Sequence, residues 1–137
     1  KGTVSNMERR GYQQYKQQSV GSMTPGELLL LLYDELVKRA TMASIALDKG
    51  QFDAFEAAVD RCTDIVNYLD ETLDRQYPIS QDLSRMYEYF TYQLGRIKIG
   101  RNKKELEQLR PLLNDMRDAF HIAEKNSGSQ QRKDGQA

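Results

Sequence analysis

Four stretches of this chain carry apolar residues at steps of three and four, and that spacing constrains its fold more than any other feature. The first runs Leu29, Tyr33, Leu36, Ala40, Ala43 and Leu47; the second runs Phe52, Phe55, Val59, Cys62, Val66, Leu69 and Leu73. The third runs Leu83, Tyr87, Phe90, Leu94 and Ile97; the fourth runs Leu106, Leu109, Leu113, Met116, Phe120 and Ala123. Residues three and four apart share one face of an α-helix, so each stretch is an amphipathic helix with one face to bury. Four such faces on short connections specify an all-α fold, an antiparallel up-and-down four-helix bundle. Each large apolar side chain that is fully buried stabilises it by about 1.5–3 kcal/mol, set against the entropy of ordering the chain.

Local signals place the ends. Thr24-Pro25-Gly26-Glu27 combines a capping threonine, proline at the first helical position and glutamate three residues after the cap, so a helix is predicted over 25–48. Gly50 follows it as a stop. A second helix is predicted over 51–76, ending before Pro78. Ser80 is the expected cap of a third over 81–100, and Asn102, with Glu105 three later, of a fourth over 103–125. Pro111 is expected to kink or split that helix near Arg110. The chain thus divides into a leader at 1–22, a bundle at 23–125 and a disordered polar tail at 126–137, the leader packing on the bundle. Residues 1–6 precede Met7 and are expected to be added residues rather than native ones.

Composition excludes several classes. Lys plus Arg is 20 and Asp plus Glu is 20, so the chain lacks the positive surplus that neutralises nucleic-acid phosphates. With 39% apolar and 29% charged residues it has enough apolar side chains for a core, unlike a disordered chain. Only 9 Gly and 3 Pro argue against the many turns of an all-β fold. One cysteine makes no internal disulfide, and no apolar run approaches a membrane span. With no secretory pattern, a reducing, cytoplasmic setting is expected.

Enzyme chemistry finds little support. Di-iron bundles need paired Glu-x-x-His motifs, but His121 is the one histidine and Asp118 stands three residues before it. One His and one Cys are too few for catalytic zinc. Cys62 sits on a core seam, where a small buried hydrophobe is the plain reading. The basic run Arg96, Lys98, Arg101, Lys103 and Lys104 reads as a solvated corner that complements the end of the third helix. No catalytic residue, cofactor or metal is expected.

What remains after the core is filled carries more information. At 100° per residue, the leucines at 28–32 wrap past a full turn, so only part of them can face inward. With the first seam at 0°, Leu31 lies at about 200°, Met42 at about 220° and Ile45 at about 160°. On the third helix Tyr92 and Ile99 lie opposite the seam and Tyr89 to one side. Surplus apolar residues on an outer face mark an occupied surface. Three occupants fit: a foreign amphipathic segment, the leader through Tyr12, Tyr15 and Val20, or a second copy in a homodimer.

One stretch is more specific. YKQQSVGSMTPGELLLLLYDELVKRA, beginning at Tyr15, resembles the opening of the flagellar secretion chaperone family, FliS. The shared features are Tyr15, Gln17, Gln18, Val20, the Thr24-Pro25 cap, the leucines at 28–32 and Leu32-Tyr33-Asp34. IVNYLDETLD from Ile65 and LSRMYEYFTYQL from Leu83 match later family segments in order. The chain departs from the family at Ile97-Lys98, where Ala-Asn is usual, at Asn102, where Asp is usual, and at Phe120, where Trp is frequent. The resemblance covers about residues 12–124. It implies a cytosolic, non-enzymatic export chaperone, monomeric or weakly dimeric, that binds the C-terminal segment of flagellin. Such binding prevents premature polymerisation and keeps flagellin competent for flagellar type III secretion, with export-gate components as further partners. On this reading Tyr12, Tyr15, Val20, Leu31, Met42, Ile45, Tyr89, Tyr92 and Ile99 are the partner-binding residues, and the leader covers the empty surface.

Overall fold

The computed structural model describes the backbone of residues 22–135 and the side chains of residues 22–126. Among them are four helices, α1 (Pro25–Asp48), α2 (Phe52–Glu71), α3 (Ile79–Gly100) and α4 (Lys103–Gly135), and no strand. α1 starts on the predicted capping box: Thr24 Oγ1 accepts from the Glu27 N–H at 3.1 Å, and Glu27 Oε1 accepts from the Thr24 N–H at 2.9 Å. It stops at Gly50, whose φ of 69° lies in the left-handed region that glycine enters without strain.

Two boundaries differ from expectation at the connection between α2 and α3. α2 ends at Glu71 rather than at 76, because local polar groups compete with the helical ladder. The Thr72 hydroxyl donates back to the Tyr68 carbonyl at 2.8 Å, and Asp74 Oδ1 accepts from the Gln76 N–H at 3.0 Å, turning the chain. α3 starts at Ile79, so Ser80 is a buried helical residue and not the cap. The turn at Tyr77 and Pro78 winds the helix early, the Ser80 N–H donating to the Tyr77 carbonyl at 3.0 Å. Asn102 does cap α4, its Oδ1 accepting from the Glu105 N–H at 3.1 Å.

α4 runs through Pro111 unbroken. Proline deletes one ladder donor, but Leu109 and Leu113 are buried on either side and hold the helix to the core. The same helix continues to Gly135, through the segment whose composition predicts a disordered tail. Extending an existing helix adds one hydrogen bond per residue without a new nucleation step.

The core is built from the four seams. Tyr33, Leu36, Phe55, Cys62, Val66, Phe90, Leu94, Ile97, Leu106 and Leu113 have no accessible surface. Ile65 joins them from outside the predicted α2 seam, while Phe52, at the start of α2, and Ala123, within α4, are exposed. α1 packs against α2 and α4, and α3 packs against the same two, so α1 and α3 stand across the diagonal. Polar links fix the antiparallel directions. Along α1 and α4, Asp48 meets Lys103 at 2.9 Å and Asp34 meets His121 at 3.0 Å. Along α2 and α3, Asp60 meets Lys98 at 2.9 Å and Asp70 accepts from Ser84 at 2.8 Å. None of the helices searched among the described residues is long and apolar enough to cross a membrane.

Candidate functional site

The six surplus residues within the described region are all exposed: Leu31, Met42 and Ile45 on α1, and Tyr89, Tyr92 and Ile99 on α3. They do not form one surface. Because α1 and α3 are diagonal neighbours, their outward faces point to opposite sides of the bundle. Tyr12, Tyr15 and Val20 lie outside the described residues.

On the α1 side the notable feature is a groove. Between α1 and α2 a cleft of about 530 Å³ is lined by Leu28, Leu31, Leu32, Glu35, Arg39, Arg61, Asp64, Ile65 and Tyr68. Leu28, Leu32 and Tyr68 also line a second hollow of about 290 Å³ at the bundle end, floored by Leu69, Leu73, Leu83, Tyr87 and Phe120. The two share these walls, so they adjoin one another, one on the flank of the bundle and one at the end where α1 begins.

The polarity of the groove is graded. Leu28, Leu31, Leu32 and Tyr68 make the end near the α1 N-terminus apolar. One turn or two farther along α1, Arg39 Nε donates to Glu35 Oε2 at 2.7 Å. Across from them stand Arg61 and Asp64, which make no ion pair among the described residues. Met42 continues the line beyond Arg39, whose Nη1 lies 4.0 Å from the Met42 sulfur. Ile45 lies farther along the ridge of α1, outside the cleft.

Tyr68, 45% exposed, is the groove residue that the seam reading overlooks. It stands next to the seam residue Leu69 and so about 100° round the helix from it, an aromatic residue left over by the same subtraction that picks out Leu31. Applying that subtraction to the second helix finds it.

On the opposite side, Tyr92 and Ile99 flank Gly95 in a hollow of about 600 Å³, lined also by Thr91, Arg96, Gly100 and Asn102. The Arg96 guanidinium lies 5.9 Å from the Tyr92 ring centroid and pairs with Glu105 at 2.7 Å. Tyr89 points to the side of this face, its hydroxyl accepting from Gln93 Nε2 at 3.2 Å.

None of these surfaces gathers catalytic groups. The Cys62 thiol is buried, donates to the Leu36 carbonyl at 3.7 Å, and is pushed up to about 12 by burial, far from a reactive thiolate. His121 is on the surface beside Asp34. Among the described residues no cluster of three or more His, Cys, Asp or Glu could hold a metal ion. Amphipathic helices in general dock by laying an apolar face into a groove of this kind.

Comparison with known proteins follows that geometry. The sequence model of the flagellar protein FliS family matches residues 8–127. The flagellar secretion chaperone FliS of Bacillus subtilis (strain 168) is 30% identical over 112 residues, which is 82% of this chain and 84% of that one. The crystal structure of a flagellar chaperone from bacteria superposes with a TM-score of 0.70, covering 87% of this chain and 98% of the other. That structure is 16% identical, and the likeness is one of fold.

Proposed function

The chain belongs to the FliS family of flagellar proteins, which are flagellar secretion chaperones, and on that premise we propose that it binds the C-terminal segment of flagellin in the cytoplasm. The bound segment is thereby kept from polymerising and held ready for type III export. The observation that carries this reading is the run of two adjoining apolar hollows, one between α1 and α2 and one at the bundle end. An amphipathic segment without a partner of its own folds when it is given such a surface, burying its apolar face against Leu28, Leu31, Leu32, Ile65 and Tyr68.

Charge grading orients the client. An apolar stretch fits the end near Tyr68 and Leu73, and a charged stretch fits beside Arg61 and Asp64, which are free of ion pairs within the described chain. Met42 and Ile45 extend the contact along α1. Ordering the client offsets part of the gain from burial, so the affinity is moderate and hand-over to export-gate components remains feasible. The chemistry is non-covalent throughout and uses no cofactor.

Calorimetry tests the proposal. Full-length flagellin is expected to bind one to one, and flagellin lacking its C-terminal segment is expected not to bind. Equal affinity for the two would reject it.

A further inference from the structure

We infer that the second half of α4, from Pro111 onward, is a hinged lid on the hollow at the bundle end, and that it swings outward about Arg110 and Pro111. The two halves of this helix are held very differently. Before Pro111, α4 is fastened to α1 by a row of polar links. Lys103 meets Asp48 at 2.9 Å and the Ser44 hydroxyl at 2.6 Å, Ser44 donates to Glu107 at 2.6 Å, and Arg110 Nη2 donates to Thr41 Oγ1 at 3.0 Å. Leu106 and Leu109 are buried on the same stretch.

Beyond Pro111 less holds the helix down. Among the described residues, the ion pair of Arg96 with Glu105 at 2.7 Å is the sole polar link between α3 and α4, and it lies in the first turn of α4. Tyr89 stands seven residues before Arg96 and Leu112 seven after Glu105, two turns along the facing sides of antiparallel helices. Yet Tyr89 is 43% and Leu112 40% exposed, so the seam is not closed there. Towards α1, the side-chain links are the stack of Phe120 on Tyr33, the surface pair of His121 with Asp34, and the Glu124 carboxylate lying against Gly26. Met116 and Phe120 are partly buried, where Leu106 and Leu113 are sealed.

The division falls where the backbone is weakest. Pro111 has no N–H to give to the Glu107 carbonyl, so a rung that would tie the two halves together is missing. Proline is also a favourable first residue of a helix, so the second half can begin afresh there. Leu113, which has no accessible surface, sits two residues on and serves as the pivot. Phe120 is what α4 contributes to the lining of the end hollow. An outward swing lifts its ring off Tyr33 and opens the hollow down to the paired Tyr33 and Tyr87 hydroxyls. The motion belongs to the free chain and does not depend on what the hollow receives.

Hydrogen exchange of the full chain, resolved by residue, tests the lid. Off the core, the segment loses the packing that supports its helix. Amides 114–124 are therefore expected to exchange together, about ten-fold or more faster than those at 106–110. Opening uncovers less surface than unfolding does, so their rates should depend less steeply on urea. Pro111→Ala supplies the missing rung and a better helix former. It should slow exchange at 114–124 by about ten-fold or more and narrow the gap to 106–110. Two results overturn the inference. One is exchange at 114–124 in step with 106–110 and equally steep in urea, which would make the helix a single unit. The other is protection that falls steadily from 114 to 124 and ignores Pro111→Ala, which would be ordinary fraying of a helix end.

Discussion

The Tyr33 and Tyr87 hydroxyls meet at 2.7 Å across the diagonal of the bundle, one from α1 and the other from α3. Both rings are buried, and Tyr33 also stacks on Phe120 with ring centroids 5.0 Å apart. The pair joins the two helices that share no broad packing face. It stands directly beneath the end hollow, which Tyr87 helps to line. Burial, and then the neighbouring phenol, hold Tyr33 far above the ordinary tyrosine range; burial likewise raises Tyr87. Both are neutral phenols at any physiological pH.

Removing one hydroxyl strands the other. Tyr33→Phe or Tyr87→Phe is expected to cost about 1–3 kcal/mol, the penalty of a buried polar group without its partner. The double change replaces both by apolar groups of the same shape and should cost less than the sum of the two singles. Urea unfolding of the four chains measures the coupling; strict additivity would show that the hydroxyls do not depend on each other.

A second polar site joins α1 to α4. Ser44 Oγ donates to Glu107 Oε2 at 2.6 Å and accepts from Lys103 Nζ at 2.6 Å, and Arg110 Nη1 donates to Glu107 Oε1 at 2.9 Å. The Ser44 hydrogen bond, helped by Arg110 and Lys103, holds the Glu107 carboxyl below the usual carboxylate range despite partial burial. A carboxyl depressed by folding stabilises the native state above its unfolded value, about 4.3, and loses that contribution as pH falls through the folded value. Urea midpoints between about pH 3 and pH 7 should therefore fall more steeply for the parent than for Glu107→Gln. Parallel curves would count against the linkage.

The sequence is informative about seams and much less so about neighbours. Helical period alone identifies Tyr33, Phe55, Phe90 and Leu106 as core, because a three-four repeat has one solution in a bundle this size. Capping chemistry is equally local, and Thr24 and Asn102 both act as caps. The ends at 71 and 79 were harder to read, since Thr72 and Asp74 compete with the helix through side chains whose geometry depends on the turn. Subtracting the seam exposes Leu31 and Ile99 correctly as surplus. It does not reveal that α1 and α3 are diagonal, which turns one imagined groove into two surfaces. Tyr68 completes the groove only because α2 is the helix beside α1.

The leader makes a kinetic prediction. If Tyr12, Tyr15 and Val20 compete for the client's surface, apparent affinity is reduced by the fraction of time that surface is free. A surface covered nine-tenths of the time binds about ten-fold more weakly. Deleting residues 1–19 should then raise the flagellin association rate by up to that factor in stopped-flow fluorescence. Unchanged kinetics would remove the leader from the mechanism.

The groove itself separates wall from ridge. Leu31 and Tyr68 line the cleft from opposite helices, whereas Ile45 sits beyond it on the crest of α1. A carboxylate placed in the cleft must be desolvated whenever a client helix docks, while one on the crest can stay in water. Leu31→Glu and Tyr68→Glu are expected to weaken flagellin binding by at least ten-fold, equivalent to about 1.4 kcal/mol. Ile45→Glu should have a smaller effect, and Met42→Glu, beside Arg39, an intermediate one. All four positions are exposed in the free chain, so helicity and melting temperature should change little. Calorimetry against full-length flagellin ranks them. An Ile45→Glu loss larger than that of Tyr68→Glu would move the client out of the α1–α2 groove and onto the crest.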